Sequence, residues 1–276
     1  MIRLALRVDR AAAELVLAEL IELAPGGVEE VQIGDDVIEY AVYGAPGELP
    51  ELPALEAAAG GALVAVRTEE IDDDWSERWR SFHRPLVLGD RLTVRPPWEP
   101  PGDTALDVVI DPAQAFGTGA HATTRLCLEL MLDRFGACGR APGSFADVGC
   151  GSGVLAIVAA KLGYAPVTAL DYDPAAVAAT DENAQRNRVA LRGQRFDLRH
   201  EQVPAADLVA ANVLAGPLIE WAHAQRQLAP ELILSGILSA EADRVAGAFA
   251  ACGYDERDRR TRAEWTALRM SRAAGG

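Results

Sequence analysis

The sequence predicts an α/β protein in which a doubly wound sheet is preceded by a small ferredoxin-like α+β domain. Strand-like and helix-like segments alternate from Leu106 to about residue 250, an order typical of a parallel sheet covered on both faces. The first 70 residues instead follow the order β-α-β-β-α-β, which is the split βαβ pattern. Half of the 276 residues are hydrophobic, so each part can bury a core.

The elements of residues 1–70 are predicted from hydrophobic patterning. The strand candidates are IRLALRV, VEEVQIG, VIEYAVYG and ALVAVRTEEI, and the helix candidates are AAAELVLAELIEL and PELPALEAAAGG. In the first helix candidate the apolar residues fall near one face and Glu14 and Glu22 lie elsewhere, as expected for a helix that lies on a sheet. A domain of this fold is a common binding module, and the fold alone does not identify the ligand.

Residues 71–101 differ in character from the segments on either side. Trp75 and Trp79 are one helical turn apart, and the cluster RPPWEPPG follows them. Prolines at this density exclude a regular helix or a central strand, so we expect a stiff linker. The two tryptophans could form a substrate platform, but packing between two domains is the favoured interpretation because tryptophan is usually mostly buried.

The strongest local signal is the segment FADVGCGSGVLAIVAAKLG. It predicts a strand that ends at Val148, a loop containing Gly149, Gly151 and Gly153, and a helix beyond the loop. A second predicted strand, VTALD, ends in Asp171, where a carboxylate can accept hydrogen bonds from ribose hydroxyls. The loop alone is compatible with an ordinary strand–helix turn. Together with Asp171 it indicates a nucleoside-binding βαβ unit.

Two cofactor classes use such a unit, and the glycine spacing distinguishes them. The dinucleotide fingerprint is GxGxxG, whereas this loop reads GxGxG and Val154 occupies the place of the third glycine. Asp147 lies two positions before the first glycine, where its negative charge would disfavour a pyrophosphate and favour a cationic ligand. The pattern therefore favours S-adenosylmethionine, which carries a sulfonium and an ammonium group.

A third candidate element is DLVAANVLAGP, an apolar strand that ends in Asn212. The carboxyl edge of a doubly wound sheet is where ligands bind, and an asparagine there offers both a donor and an acceptor. A lone asparagine at a strand end is more often a turn former. Val213 and Leu214 follow it, where enzymes that methylate the exocyclic amines of bases commonly carry prolines, and this departure disfavours a base-methylating enzyme.

Three segments are specific in combination: AFGTGAHATT, DVGCGSGVLAI, and ANVLAGPLIE followed by LILSGIL. On these motifs the sequence closely resembles the ribosomal protein L-eleven methyltransferase family, often called PrmA, along the whole chain. The resemblance implies a seven-stranded class I methyltransferase domain at 102–276 and a substrate-recognition domain at 1–70. It also implies S-adenosylmethionine-dependent methylation of lysine side chains and the N-terminal amine of that ribosomal protein. An enzyme that methylates lysines of another protein, or a small amine, is the alternative.

The resemblance also implies site residues, which are carried over by motif. Gly149 would admit the methionine portion of the cofactor, and Asp171 would hold the ribose hydroxyls. Thr124 and Asn212 would bracket the methionine and methyl end. Asn212, with the backbone around it, is the candidate catalytic residue because it would orient the amine. His121 either assists this step or fixes the loop 116–119, whose two glycines suit a movable lid.

Composition restricts the partners. Twenty-six basic and 41 acidic residues give a net charge of −15, which disfavours direct binding to nucleic acid or anionic membranes and suits a basic protein substrate. No window holds about 18 uncharged apolar residues, the length of a membrane span. The four cysteines and four histidines show neither pairing nor metal-ligand spacing. We expect a cytoplasmic monomer without a metal.

Overall fold

The computed structural model describes residues 2–13, 16–17, 20, 28–33, 36–44, 63–70, 84–112, 121–138, 143–224 and 229–273. The chain divides into two compact units, Met1–Phe82 and His83–Gly276. The predicted second helix at 50–61, Trp75, Trp79 and the predicted lid at 116–119 lie outside the described residues.

The first unit contains a four-stranded sheet. Its strands are β1 (Ile2–Asp9), β2 (Glu29–Gln32), β3 (Val37–Gly44) and β4 (Leu63–Glu70). Their order is β2-β3-β1-β4, and every neighbouring pair is antiparallel. A short 3-10 helix, Arg10–Ala12, follows β1. The alternate residues Leu4, Leu6 and Val8 pack with the buried Val16 and Leu20 of the first predicted helix. The strand order is that of the predicted split βαβ pattern.

The second unit begins with a three-stranded sheet, which differs from the linker predicted at 71–101. Its strands are β5 (Leu86–Leu88), β6 (Leu92–Arg95) and β7 (Leu106–Val109); β5 and β6 are antiparallel, and β6 and β7 are parallel. Leu86, Leu88, Leu92 and Val94 belong to the large core of this unit. The linker interpretation is therefore wrong for residues 86–95, because pairing with β7 and burial of these side chains hold this segment in the fold. The proline-rich residues 96–101 form no strand.

The main sheet has seven strands. They are β8 (Phe145–Val148), β9 (Val167–Asp171), β10 (Arg192–Arg195), β11 (Leu208–Asn212), β12 (Glu231–Leu238), β13 (Tyr254–Arg262) and β14 (Trp265–Arg272). The order is β10-β9-β8-β11-β12-β14-β13. The first five strands in this order are parallel, whereas β14 is antiparallel to both of its neighbours. The sheet is thus mixed, with an antiparallel hairpin at one edge.

Helices cover both faces of this sheet, as predicted. The described helices are α1 (Ala122–Cys138), α2 (Val154–Lys161), α3 (Pro174–Asn187), α4 (Ala215–Ala224) and α5 (Ala242–Ala251), and a 3-10 helix spans Ser239–Glu241. Side chains of α1 and α2 belong to one hydrophobic core, and those of α4 and α5 belong to another. Residues 154–159 of α2 are all buried, which is typical of a helix enclosed by protein. Among the described segments, no helix is long and apolar enough to cross a bilayer.

Candidate active site

The loop after β8 depends on its glycines. Gly149, Gly151 and Gly153 have φ angles of 74°, 51° and 79°, in the left-handed region that other residues rarely adopt. Gly149 also has no room for a side chain, because a Cβ at this position would lie 2.6 Å from Cγ1 of Val213. The N–H groups of Gly149 and Cys150 both donate to the carbonyl of Leu170, at 2.8 and 3.0 Å. The loop is therefore folded against the end of β9.

Asp171, the last residue of β9, holds the next part of the same loop. Its Oδ2 accepts the backbone N–H of Gly151 at 2.9 Å, and its Oδ1 accepts the N–H of Asp173 at 3.1 Å. Each carboxylate oxygen has more than one lone pair, so these bonds leave Asp171 able to accept hydrogen bonds from a ligand. The structure therefore brings Asp171 into contact with the glycine loop, and its role toward the ribose hydroxyls stays a prediction.

A cavity of about 530 Å³ opens next to Gly149 and Asp171, and this volume is typical of small-molecule and cofactor sites. It is lined by Val148, Gly149, Leu170, Asp171, Tyr172, Phe196, Asp197, Leu198, Arg199, Val213, Leu214 and Pro217. Residues 196–199 were not predicted from the sequence. They directly follow β10, the neighbour of β9. The rule that ligands bind at the carboxyl ends of parallel strands is the signal that could have found them.

Thr124 and Asn212 come together, although one lies on α1 and the other ends β11. The side-chain Nδ2 of Asn212 donates to Oγ1 of the buried Thr124 at 3.4 Å. Neither of these two residues lines the cavity, but Val213, the residue after Asn212, does. Of the four predicted site residues, two therefore lie on the cavity wall and two form a polar pair beside it.

His121 is held by contacts at the start of α1. Its Nδ1 lies 2.8 Å from Oγ1 of Thr123, and its ring packs edge-on against Trp265 with 5.2 Å between ring centroids. Burial lowers the pKa of His121, and the nearby charge of Glu264 opposes this shift. These contacts hold the ring of His121 at the start of α1.

Asp147 is a buried carboxyl group just before the glycine loop. Its Oδ2 accepts the backbone N–H of Ala156 near the start of α2, at 3.1 Å, and its Oδ1 has no hydrogen-bond partner among the described residues. Burial raises the pKa of Asp147 to about 7, and the charge of Asp171 adds to the effect of burial, against the lowering effect of the Ala156 bond. A buried oxygen without a partner gains from a positive charge nearby. Asp147 does not line the cavity, so the fit to S-adenosylmethionine rests on Asp171, whose carboxylate borders the cavity and can accept hydrogen bonds from ribose hydroxyls.

The described residues contain no cluster of three or more histidine, cysteine, aspartate or glutamate side chains arranged to hold a metal ion. The polar side chains in the cavity wall are instead Asp171, Tyr172, Asp197 and Arg199. The two carboxylates among them can accept hydrogen bonds from hydroxyl groups.

The seven-stranded sheet, the glycine loop after β8 and the acidic residue at the end of β9 define a class I S-adenosylmethionine-dependent methyltransferase. Comparison with known proteins makes the assignment more specific. A sequence profile described as ribosomal protein L11 methyltransferase (PrmA) matches residues 7–273. The chain belongs to this family.

Individual relatives agree with this assignment. A ribosomal protein L11 methyltransferase of Pectobacterium carotovorum is 38% identical over 239 residues, which cover 84% of this chain and 79% of the relative. One of Sodalis glossinidius is 42% identical over 204 residues, covering 69% and 66% of the two chains. The crystal structure of a ribosomal protein L11 methylase from Lactobacillus delbrueckii subsp. bulgaricus superimposes with a TM-score of 0.59 at 28% identity, covering 70% of this chain and all of that one.

Proposed function

We propose that this enzyme transfers methyl groups from S-adenosylmethionine to the lysine side-chain amines and the N-terminal amine of ribosomal protein L11. The observation that carries the proposal is the Asn212–Thr124 pair, which adjoins the cavity that Gly149 and Asp171 line. The relatives named above carry L11 in their names. The net charge of −15 favours encounter with a basic protein.

Four residues would hold the cofactor. Asp171 would accept hydrogen bonds from the ribose hydroxyls, and the backbone of Gly149 at the cavity wall would border the methionine portion. Thr124 and Asn212 would border the methyl end. S-adenosylmethionine supplies an electrophilic methyl group bonded to a sulfonium.

Asn212 would orient the amine that accepts the methyl group. Its Nδ2 donates to Thr124, which leaves Oδ1 as the atom able to accept an N–H bond from that amine. An in-line displacement depends mainly on orientation, and this bond would point the nitrogen lone pair of the amine at the methyl group. The amine must also be neutral, whereas a free lysine has a pKa of about 10.4. Burial next to a cation lowers that pKa, so the reaction needs no strong base.

The first unit, with its ferredoxin-like sheet, would recognise the ribosomal protein. We further propose that the enzyme acts as a monomer in the cytoplasm, without a metal and without direct contact to nucleic acid or membranes. The acidic surface supports the last point, because phosphate groups on nucleic acids and lipids repel it.

The test is intact-mass spectrometry of purified L11 after incubation with S-adenosylmethionine and the enzyme. The wild-type enzyme should give a ladder of added methyl groups, and Asp171→Ala should slow its appearance by about a hundredfold, since it removes the bonds that hold both the ribose and the loop. Asp255→Ala is the matched control. Asp255 is an exposed residue of β13 that pairs with Arg257, and this variant should behave like the wild type.

Two results would contradict the proposal. If wild-type enzyme binds S-adenosylhomocysteine by calorimetry but leaves the mass of L11 unchanged, the substrate is another protein or a small amine. If Asp171→Ala methylates L11 as fast as Asp255→Ala does, the assignment of the ribose site is wrong.

A further inference from the structure

Helix α3 buries a polar face. Thr180, Asn183 and Asn187 are 0%, 2% and 9% exposed, and their spacing places them on one side of the helix. A helix usually turns an apolar stripe toward the core. Burying amide and hydroxyl groups is costly unless each forms hydrogen bonds, so the partners of these three side chains indicate what the face is for.

Two of the three side chains bind the glycine loop. Oγ1 of Thr180 donates to the carbonyl of Gly151 at 3.0 Å, and Nδ2 of Asn183 donates to the carbonyl of Ser152 at 3.0 Å. The contact is close, since a Cβ on Gly153 would lie 2.8 Å from Thr180. Helix α3 therefore binds the carbonyl groups of the glycine loop, whereas Asp171 binds one of the loop's N–H groups, that of Gly151.

Asn183 also reaches a second segment. Its Oδ1 accepts the backbone N–H of Asp111 at 3.0 Å, just after β7, and Arg186 one turn further along α3 forms an ion pair with the Asp111 carboxylate at 2.8 Å. In sequence, Asp111 leads into the AFGTG motif. A single buried amide thus joins the glycine loop to the segment that precedes this motif.

Asn187 has the same chemistry but a different partner. Its Oδ1 accepts the N–H of Val109 at 2.9 Å, and its Nδ2 donates to the carbonyls of Val109 and Asn183 at 2.6 and 2.8 Å. Among the described residues, Asn187 joins α3 to β7 and forms no hydrogen bond with the glycine loop. The two asparagines form a matched pair, because each bonds to backbone at the end of β7 or just after it, and Asn183 alone of the two also bonds to the loop.

We propose that Asn183 is a positioning residue for S-adenosylmethionine, which holds the carbonyl of Ser152 so that the loop is already in its binding conformation. Three left-handed glycines at 149, 151 and 153 give the free loop unusual conformational freedom. Ordering such a loop upon binding weakens affinity, and anchoring it beforehand restores that affinity. Asn183 acts through Ser152 and does not itself line the cavity.

The experiment compares Asn183→Leu with Asn187→Leu, since leucine is close to asparagine in size and removes both hydrogen-bonding groups. The readouts are the Kd for S-adenosylhomocysteine by calorimetry, the KM for S-adenosylmethionine, kcat and the Tm. Asn183→Leu should raise Kd and KM about tenfold, the effect of losing one loop anchor, and change kcat by less than about twofold. Both variants should lower Tm to a similar extent, and Asn187→Leu should leave Kd and KM unchanged.

If both variants lose the same Tm and keep the wild-type Kd, the proposal is overturned and Asn183 is purely structural. The proposal is also overturned if both variants weaken S-adenosylhomocysteine binding equally. If Asn183→Leu does not fold, Thr180→Val serves instead, because it removes the bond to Gly151 and keeps the shape of the side chain. Wild-type Kd in a folded Thr180→Val would then refute the loop-anchoring role of this face. The Kd measurement needs no protein substrate, so a failure of L11 methylation would leave this test valid.

Discussion

Gly236 in β12 has a conformation and a neighbour that exclude any side chain. Its φ is +80°, and a Cβ there would lie 2.6 Å from the carbonyl oxygen of Val213 and 2.8 Å from its carbonyl carbon. Val213 lines the cavity, and its N–H donates to the carbonyl of Ser235 at 3.1 Å. We therefore predict that Gly236→Ala damages both the stability and the activity of the enzyme.

The size of the effect follows from two contributions. The left-handed φ costs a residue with a side chain about 1–2 kcal/mol. The collision adds about 1–3 kcal/mol, as in other overpacked cores, because the atoms in the way belong to the backbone of Val213 rather than to a flexible side chain. Gly253→Ala separates the two contributions. Gly253 has a φ of +84° but open space where its Cβ would be, so this variant should show the φ cost alone.

The assays are urea unfolding and L11 methylation by both variants. Gly236→Ala should lose about 1–3 kcal/mol more than Gly253→Ala and should lower kcat by at least about tenfold, since moving Val213 by a fraction of an ångström also moves Asn212 away from the reacting groups. Gly253→Ala should keep wild-type kcat. Equal stability losses in the two variants, together with full activity of Gly236→Ala, would refute the role assigned to the close approach of Gly236 to Val213.

Three further predictions concern single side chains. Burial raises the pKa of Asp147 from 3.8 to about 7, so its contribution to stability is complete below pH 3.8 and is lost as pH rises through 7. The free energy of unfolding of the wild type, measured in urea, should therefore fall between pH 3.8 and 7 by up to about 1.4 kcal/mol per pH unit relative to Asp147→Asn. Asn212→Ala should lower kcat for L11 methylation by about tenfold to a hundredfold. Thr124→Val should lower kcat by less, since Thr124 acts through its hydrogen bond with Asn212, and a kcat equal to that of the wild type in both variants would contradict the proposed role. Arg134→Ala should destabilise the enzyme by about 2–4 kcal/mol in urea, because it removes the two hydrogen bonds to Glu231 and the bond to Tyr164 and leaves Glu231 with the longer contact to Arg269 at 3.9 Å. An unchanged midpoint would show that these contacts contribute nothing.

The main fold and the placement of Asp171 and Asn212 at strand ends could be predicted because they depend on local patterns, whereas Thr124 was carried over from the family resemblance. The strand before Gly149 is short and apolar, and the order of segments around it leads to parallel strands whose carboxyl ends meet at one edge. Asp171 and Asn212 end two such strands, so their position needed only the strand boundaries. Their contacts with Gly151 and Thr124 depend on how the glycine loop and α1 pack in the folded chain, and no local pattern predicted them.

The strands β5 and β6 could not be predicted in the same way. They contain three and four residues, too few for a hydrophobic period to stand out, and the prolines from residue 96 onward dominate the composition of that stretch. What makes them strands is the pairing of β5 with β6 and of β6 with β7, together with the burial of their leucines. Such tertiary contacts override local propensity.

The polar face of α3 was missed for a different physical reason. The segment ATDENAQRN has the composition of a solvated helix, and Thr180, Asn183 and Asn187 look like part of its exposed surface. They are buried because the glycine loop and β7 present backbone groups to them. A partner made of backbone leaves no apolar or charged signal in the sequence, so the hydrogen bonds of the folded chain are needed to recognise it.

Val213 gives one explanation for two glycine motifs that are far apart in the sequence. Strand β11 lies between β8 and β12 in the sheet, so the segment that leaves β11 for the cavity runs past the ends of both neighbours. On one side the side chain of Val213 occupies the place of a Cβ on Gly149, and on the other its backbone occupies that of Gly236. The two contacts differ in kind, since a side chain can change its rotamer and a backbone carbonyl next to Asn212 cannot move without moving that residue. The glycine in LILSGIL therefore serves the position of Asn212 as directly as the glycine loop serves the cofactor.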